Sequence, residues 1–456
     1  MIYELMHKDI PVAEIDIDGN GNLKHLTKIL DAAHFPYGTS PRHGSNDPSG
    51  LIRWWSNRRI PISRDDLKNI KGIRLLETAT PGMILLACKG LSLSDCYWIR
   101  EKGSTDTFDA LNFFDNDFTY DLGDALVGKR NNGAIQWMSP DGTSEGNLKK
   151  RWKIISGHRV LLKAGTPPCH YEVYNEVIAS AVMKHLNVPH VDYFLYRDDD
   201  QVYCGCEDFL GYSQDFVTAY MIHEGHKKPN DESEYEFMVR CYEELGIENA
   251  RDVINTMLLV DYLVGNEDRH LNNFGLIRDA KTLRFLGPTP IFDTGSSLGY
   301  TLSDERLSVS KNVPWKPFAT KAKPTQLDYI DALPEAILPN ALLSLPKAIA
   351  SIGASLPSSL SKTRKKAIVR FVSSRVGEVA KRYGLVYSEP SNGLSKNQQA
   401  IVAYIRSLGG SLYLAEDAAE ALHCPRITII RNLSRLAEQG VLVRVGSKKT
   451  GHWELI

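Results

Sequence analysis

The sequence predicts an α+β protein made of several domains. Its 456 residues exceed an average domain of about 100–200 residues, so two to four domains are expected. Residues 133–210 alternate strand-like runs and turns around one helical pattern, residues 211–387 are mostly helical, and residues 395–456 have a helical periodicity of their own. Strands joined by tight turns, followed by a helical region, indicate antiparallel sheets packed with helices.

The composition excludes wholesale disorder and a global attraction to polyanions. Hydrophobic residues make up 43% and charged residues 24% of the chain, as in ordinary globular proteins. The net charge is −1, so any site for nucleic acid must be local. The seven cysteines are scattered without a C-x-x-C pair, which suits a reducing compartment. With no signal peptide and no apolar run of about 20 residues, we expect a cytoplasmic protein without a membrane partner.

The chain divides into five segments at changes of composition. The clearest boundary is the polar stretch from Ser388 to Ser395, whose Pro and Gly are typical of a linker. Before it, a region of short strands and polar loops without an assignable motif precedes the strand-rich and helical regions. We predict an N-terminal accessory region, a strand-rich region, a helical region, a linker and a C-terminal module at residues 1–132, 133–210, 211–387, 388–394 and 395–456.

The strand-rich region has the element order of a protein-kinase small lobe. One helix is predicted at residues 171–186, and strands are predicted at residues 134–139, 150–155, 159–163, 190–197 and 202–207. A loop containing glycines separates the first two strands. Because a mostly helical region follows, the sequence predicts a two-lobed, protein-kinase-like fold, with an antiparallel sheet in the small lobe and helices in the large lobe.

The strongest chemical signal lies in two polar loops. Asn273 follows Asp268 by five residues, and Asp293 comes after a further short apolar run. Phosphoryl transfer needs a carboxylate that orients the acceptor hydroxyl, for which Asp268 is suited, and oxygen ligands for magnesium, for which Asn273 and Asp293 are suited. Asn and Asp also form turns through their own side chains, which explains either loop alone equally well. Both loops together, in kinase order, favour catalysis.

These loops resemble those of the HipA family of serine/threonine kinases. The family's catalytic loop, D-x-H-x-x-N, is matched by Asp268, His270 and Asn273. Its later aromatic-Asp pair, which supplies the magnesium carboxylate, is matched by Phe292 and Asp293, where the family more often has Tyr. The resemblance implies ATP and Mg²⁺ as cofactors and transfer of the γ-phosphate to a protein hydroxyl.

The resemblance covers about residues 134–335 and includes a K-P-F element at residues 316–318. Kinases of this family often act as toxins that a separate DNA-binding antitoxin restrains, so an antitoxin-like partner is implied. Lipid kinases that phosphorylate inositol rings carry a similar D-R-H-x-x-N loop, and residues 268–273 read D-R-H-L-N-N. A lipid or small-molecule kinase therefore stays an alternative.

Lys163 closes a predicted strand at the place where a kinase lysine reaches the α- and β-phosphates and pairs with a helix glutamate. A strand-end lysine is otherwise usually a solvated edge charge. Glu172 and Glu176 lie one helical turn apart and can face the same side of the predicted helix. The family resemblance favours Glu176 as the partner of Lys163.

The loop before these strands is a candidate phosphate loop. Gly142 and Gly146 allow backbone N–H groups to cover phosphates, although two glycines also suit a plain hairpin loop. The family resemblance implies a serine here that is autophosphorylated to switch the enzyme off; Ser144 is the best match and Thr143 the next. Glu207 lies where the hinge would contact the adenine, so it is also predicted to line the ATP site.

Residues 395–456 resemble a winged helix-turn-helix, with three predicted helices and a hairpin. In that fold the third helix enters the major groove and the wing contacts the backbone. The local net charge of +3 is modest for DNA binding, and a winged helix used for protein contacts, including dimerisation, is the alternative. The predicted DNA-binding residues are Thr428, Arg431, Asn432 and Arg435 on one outward face of the third helix, and Lys448 and Lys449 on the wing.

The sequence thus predicts an ATP- and Mg²⁺-dependent serine/threonine protein kinase with a C-terminal DNA-binding-like module that regulates it. An alternative from another class is a transcriptional regulator whose pseudokinase core only binds a nucleotide. The expected partners are a protein substrate, DNA through the C-terminal module, an antitoxin-like protein and a second copy of the chain.

Overall fold

The structure is a computed structural model that describes residues 1–40, 47–61, 80–129, 135–144, 146–199, 201–309, 325–357, 359–387, 395–438, 441–446 and 451–455. It contains two compact units. The first holds the chain up to Tyr300 and a later segment that ends at Leu338, and the second holds a short segment after Tyr300 and the chain from Pro339 onward. Both combine helices with antiparallel strands, which confirms the α+β class predicted from the sequence.

The N-terminal region of the first unit is a four-stranded sheet covered by short helices. The strands are β1 Ile2–His7, β2 Ile10–Ile17, β3 Leu23–Ile29 and β4 Tyr97–Glu101, in the order β3-β2-β1-β4. The helices are α1 Ser49–Asn57, α2 Pro81–Ala87, α3 Phe108–Leu111 and α4 Asp121–Leu126. Leu51 and Trp55, one turn apart on α1, pack against strand residues such as Ile15, so an amphipathic helix closes one face of the sheet.

The strand-rich region forms a second antiparallel sheet with one long helix. Its elements are β5 Lys150–Ile155, β6 His158–Lys163, α5 Tyr171–Leu186, β7 Tyr193–Asp198 and β8 Gln201–Glu207, and the sheet order is β5-β6-β8-β7. Ser156 and Gly157 both have positive φ, 53° and 86°, which is the conformation of a two-residue hairpin turn between β5 and β6. The predicted element order is therefore present from β5 to β8.

The strand predicted at residues 134–139 does not form in the described residues 135–139. A 3-10 turn, Pro140–Thr143, follows instead, and the hydroxyl of Ser139 accepts a hydrogen bond from the N–H of Asp141 at its start. A capping Ser followed by Pro in the first turn position favours a helical turn over an extended strand, so the strand prediction is wrong here.

The helical region places a small sheet beside a bundle of helices. It contains β9 Gln214–Thr218, α6 Ala219–Gly225, α7 Glu234–Glu244, α8 Ala250–Val264, β10 Gly275–Asp279, β11 Phe285–Pro288 and the 3-10 turn Gln326–Tyr329. The sheet order is β11-β10-β9. Helix α8 is buried over most of its length and ends at Gly265, whose φ of 64° is the left-handed cap that glycine adopts without strain. This cap turns the chain into the loop that carries Asp268.

The second unit contains α9 Asp304–Val309, α10 Pro339–Ser355, α11 Lys362–Arg382, α12 Lys396–Ser407, β12 Ser411–Leu412, α13 Ala415–Ala421, α14 Arg426–Glu438, β13 Leu442–Val445 and β14 His452–Leu455. The last three strands form a sheet in the order β12-β14-β13. Ile401, Ile405 and Leu433 are fully or almost fully buried in one cluster with this sheet. Within the described residues, no helix is long and apolar enough to span a membrane.

A buried polar network joins the N-terminal sheet to the helical region. The Asp215 carboxylate on β9 accepts hydrogen bonds from Arg278 Nη2 at 2.9 Å and from the Cys96 N–H at 3.0 Å. His7 Nε2 on β1 lies 3.1 Å from the same carboxylate. Burial alone would raise the pKa of Asp215, but His7 and Arg278 lower it to about 2. The two regions therefore share an ionised, fully partnered carboxylate.

We expect Asp215→Asn to lower the free energy of unfolding by about 3–5 kcal/mol, because Arg278 would be left buried without a counterion. Since the folded-state pKa lies below the ordinary value of 3.8, the carboxylate stabilises the fold above that pH, and the difference from wild type should shrink as the pH falls toward 2. Urea unfolding at several pH values measures both effects. Asp199→Asn, which changes an exposed partner of Lys129, is the matched control and should leave stability almost unchanged.

Candidate active site

A cavity of about 1170 Å³ opens in the first unit. Lys163 and Tyr193 from the β5–β8 sheet line one part of it, together with Asn273 and Asp293 from the two polar loops. Its volume exceeds the range of about 300–1,000 Å³ that holds most small ligands. The cavity extends to the N-terminal region, where it is lined by Trp54 among other residues.

Lys163 lies buried at the end of β6 and contacts two carboxylates and a phenol. Its ammonium group Nζ donates to Asp293 Oδ1 at 2.6 Å and to Glu176 Oε1 at 3.2 Å. It also lies 3.2 Å from the Tyr193 hydroxyl. Burial alone would lower the pKa of Lys163, but these three neighbours raise it well above its usual value. The structure thus brings Lys163, Glu176 and Asp293 together.

Glu172, the other glutamate on this helix, has a different partner. Its Oε2 accepts a hydrogen bond from the N–H of Thr166 at 3.1 Å. Glu176 Oε2, in contrast, accepts from both the N–H and the hydroxyl of Thr294, at 2.8 and 2.9 Å. Glu176 therefore joins the β6 lysine to the loop that carries Asp293.

The backbone around Asp293 is held in an uncommon conformation. Asp293 has a φ of 57°, in the left-handed region that residues other than glycine seldom adopt. The carbonyl before it accepts from Arg269 Nη1 at 2.8 Å, its own N–H donates to the Tyr193 hydroxyl at 3.3 Å, and the next N–H donates to Glu176. The two peptide units that flank the Asp293 Cα are thus fixed by three buried side chains.

The Asp293 carboxylate is ionised. Burial would raise its pKa, but Lys163 foremost, together with Lys150 and Arg269, lowers the pKa to below its usual range. An ionised carboxylate that lines a cavity beside a cation can bind a divalent metal ion.

Arg269 organises the loop between Asp268 and Asn273, and sequence reasoning assigned it no role. It is 2% exposed, and its Nε and Nη2 both donate to the Asp261 carboxylate at 2.9 Å. Nη1 donates to the Asn273 carbonyl at 2.7 Å. A forked guanidinium matches a carboxylate in this two-bond geometry. The available sequence signal was Asp261, an acid inside an otherwise apolar helical run.

Asp268 and Asn273 lie at the two ends of this loop. Asn273 lines the cavity, and its Nδ2 donates to the Asp268 carbonyl at 3.0 Å. Asp268 is half-buried, and its N–H donates to Asn266 Oδ1 at 3.2 Å. Of the described residues in the loop, His270, Asn272 and Asn273 line the cavity and Asp268 does not. Asp268 therefore does not line the cavity itself, but its backbone carbonyl is hydrogen-bonded to Asn273, which does.

The predicted phosphate loop is packed against helix α2. A Cβ atom on Gly142 would lie 2.9 Å from Cys88 Sγ, so glycine is required here by packing. Between residues 142 and 147, the described residues Thr143, Ser144, Gly146 and Asn147 line the cavity and Gly142 does not, so a role of Gly142 at the phosphates stays a prediction. Gly146 has a φ of 84°, a backbone conformation that favours glycine.

The two loop hydroxyls predicted to accept phosphate are buried. Thr143 donates to the Leu91 carbonyl at 3.0 Å, and Ser144 donates to the Asp141 carbonyl at 3.0 Å. Both hydroxyls are therefore engaged with the backbone in this conformation.

The acidic pair at the end of β8 divides between surface and interior. Glu207 lines the cavity but is exposed and pairs with His158. Asp208 Oδ1 accepts from the Leu210 N–H at 3.2 Å, and burial raises the pKa of Asp208 to about 7. Glu207 is thus the solvated member of the pair, and Asp208 the buried one.

The C-terminal module presents part of the predicted DNA-binding set. Arg431 and Arg435 are exposed on α14, and Thr428 is half-buried. Asn432 is 7% exposed and donates to the Thr428 carbonyl at 2.8 Å, so its prediction on the outward face is wrong; its side chain bonds its own helix. Predictions on residues 316–318, 388–394, 448 and 449 lie outside the described part of the chain.

The residues at the cavity fit a nucleotide and a magnesium ion by their chemistry. Asn273 and Asp293 offer amide and carboxylate oxygens, which are the hard ligands that Mg²⁺ prefers. Lys163 offers a buried ammonium group suited to phosphate oxygens. All three line the same cavity.

No protein-family model matches the chain, and no curated protein matches it. Among solved structures it is similar to the proinflammatory kinase CtkA of Helicobacter pylori, with 17% identity and a TM-score of 0.43 over 52% of this chain and 90% of that chain. It is also similar to a structure of the Shewanella oneidensis MR-1 toxin–antitoxin system HipA, HipB and its operator DNA, with 12% identity and a TM-score of 0.44 over 89% and 95% of the two chains. At these identities and TM-scores, the activity, substrate and partners of this chain have to be inferred from its own residues.

We expect Arg269→Met to lower the free energy of unfolding by about 3–5 kcal/mol, because it leaves the buried Asp261 carboxylate with the Asn266 amide but without its cation. Urea unfolding measures the loss. Arg240→Met, which removes a surface arginine paired with Glu232 and Glu244, is the control and should stay close to wild type.

A double variant, Asp261→Leu with Arg269→Met, should recover part of this stability, since no unpaired charge stays buried. Equal losses in the single and double variants would contradict the role of the ion pair.

Proposed function

We propose that this chain is an ATP- and Mg²⁺-dependent serine/threonine protein kinase of HipA type, which transfers the γ-phosphate to a protein hydroxyl. The observation that carries the proposal is the contact of the buried Lys163 with both Glu176 and Asp293, at 3.2 and 2.6 Å. These residues come from β6, α5 and a loop far along the chain. A lysine–glutamate pair next to a metal-binding aspartate is the arrangement that phosphoryl transfer uses.

Each residue has a defined task in this proposal. Lys163 binds the α- and β-phosphates while Glu176 holds it in place, and Asp268 orients the acceptor hydroxyl. Asn273 and Asp293 would hold the Mg²⁺, which neutralises the charge of the phosphates when it is bound. Because Lys163 now contacts Asp293 directly, binding of the nucleotide requires the ammonium group to turn toward the phosphates.

We also propose Ser144, and next Thr143, as autophosphorylation sites. Both line the cavity, which places them near the proposed nucleotide site. Their hydroxyls donate to backbone carbonyls, so the loop must leave its packed position before either hydroxyl can accept a phosphate. A phosphate at this place would repel the phosphates of the nucleotide.

DNA binding through residues 395–456 is a second candidate function. The observation that favours it is the set of exposed arginines on α14, namely Arg426, Arg431 and Arg435. Arginines on one helix can contact phosphates and base edges in the major groove.

We expect Asp268→Asn and Asp293→Asn to lower the rate of label transfer from γ-labelled ATP in the presence of Mg²⁺ by about 100-fold or more, because each removes a group that acts on the reacting phosphate or hydroxyl. Autophosphorylation and transfer to a generic protein acceptor are the measurements. Ser144→Ala should lower only the autophosphorylation.

The matched control is Asp192→Asn, whose side chain is 74% exposed and which should label as wild type does. Labelling that is equal in wild type and Asp268→Asn would overturn the kinase proposal. Label on an inositol lipid and none on protein would favour the lipid-kinase alternative.

We expect DNA affinity to fall steeply with salt and the double variant Arg431→Ala with Arg435→Ala to bind more weakly. Each lost phosphate contact should reduce the slope of log K against log salt by about 0.9. Fluorescence anisotropy with duplex DNA at several salt concentrations measures this slope. Arg382→Ala, an exposed arginine on α11, is the control; a slope that is unchanged in the double variant would contradict DNA contact through α14.

A further inference from the structure

Tyr193 lies at the start of β7, where its phenol reaches the centre of the site. The residue is 7% exposed, and its N–H donates to the Ser180 hydroxyl at 3.1 Å, which fixes the strand against α5. Its ring packs in a cluster with Val173 and Cys204. These contacts hold the ring rigidly, so the position of its hydroxyl is determined by the fold.

The hydroxyl oxygen meets two donors that belong to the proposed machinery. Lys163 Nζ lies 3.2 Å away and the N–H of Asp293 lies 3.3 Å away. The ammonium group also lies 5.2 Å from the centroid of the ring, within the range of a cation–π contact. Burial, and then the negative charge of Glu176, raises the pKa of Tyr193 well above its usual value. The phenol is therefore a neutral hydrogen-bond acceptor.

We propose that Tyr193 is a positioning residue that aims the Asp293 carboxylate at the metal ion and limits its contact with Lys163. This inference rests on the proposed kinase function. The peptide unit before Asp293 is held by Arg269 at its carbonyl and by Tyr193 at its N–H, and the peptide unit after Asp293 is held by Glu176. The Tyr193 contact lies at a residue with left-handed φ.

Loss of the hydroxyl has two physical consequences. The Asp293 N–H would lose its acceptor, which favours a rotation of this peptide about its remaining contact with Arg269. Lys163 would also lose one of three partners and would contact the Asp293 carboxylate more often. Since Lys163 and a metal ion compete for this carboxylate, both consequences weaken metal binding more than they weaken binding of the nucleotide without the metal.

The test is Tyr193→Phe, which removes one oxygen and keeps the ring. Binding of a fluorescent ATP analogue is titrated with Mg²⁺ and repeated with EDTA in place of the metal. We expect the Mg²⁺ concentration for half-maximal binding to rise about tenfold, as for other residues that orient a metal ligand. Binding in EDTA should change far less than this midpoint.

Tyr235→Phe is the matched control, because it removes a buried hydroxyl that bonds Asn255 at 2.6 Å in another part of the first unit; it should leave the Mg²⁺ midpoint unchanged. A wild-type midpoint in Tyr193→Phe would overturn the inference, as would equal losses of binding with Mg²⁺ and with EDTA, which indicate a structural role alone. If the wild-type chain binds the analogue without any dependence on Mg²⁺, the proposed function itself fails and this inference fails with it.

Discussion

The geometry of the site depends on one buried guanidinium. Arg269 is bound at two points to Asp261 on helix α8, and its remaining nitrogen reaches the carbonyls of Asn273 and Phe292. A single side chain thus ties the helix, the loop after it and the loop before Asp293 to one another. Because an arginine taken out of water must satisfy its donors, alternative arrangements of these loops are costly. The rigidity of the site follows from this requirement.

A second constraint is the balance of charge around Lys163. One buried ammonium group lies between two carboxylates, the buried Glu176 and the half-buried Asp293. Glu176 is also held by Thr294 and keeps its orientation, whereas Asp293 lines the cavity and can exchange partners. The cluster therefore has a fixed side at Glu176 and an exchangeable side at Asp293, which faces the cavity.

The parts of the site that were predictable are those in which chemistry determines short spacings. Asp268 and Asn273 lie on one loop, and Lys163 and Glu176 lie on neighbouring elements of a recognisable order, so local sequence made them candidates, with the family resemblance favouring Glu176 over Glu172. Arg269 and Tyr193 depend on contacts with residues distant in sequence, such as Phe292 and Asp293, which no local pattern reveals. The packing of Gly142 was hidden for the same reason, since the Cys88 side chain that requires glycine belongs to another region.

The α+β class and the order of strands from β5 to β8 were predictable because alternating apolar residues and tight turns are local signals. The missing strand at residues 135–139 shows a limit of these signals, since a Ser-Pro start to a helical turn overrode an apolar run. Asn432 shows another limit: helical spacing alone did not reveal that its amide would bond its own backbone.

The Asp215 network has a consequence for how the first unit unfolds. The Asp215 carboxylate belongs to β9, while His7 and Cys96 belong to the N-terminal region. Separation of the two regions would therefore leave the charged carboxylate without these partners. The N-terminal region and the β9–β11 sheet should consequently melt in a single cooperative transition. A chain that begins after residue 129 would therefore lack part of one cooperative folding unit and would not fold stably on its own.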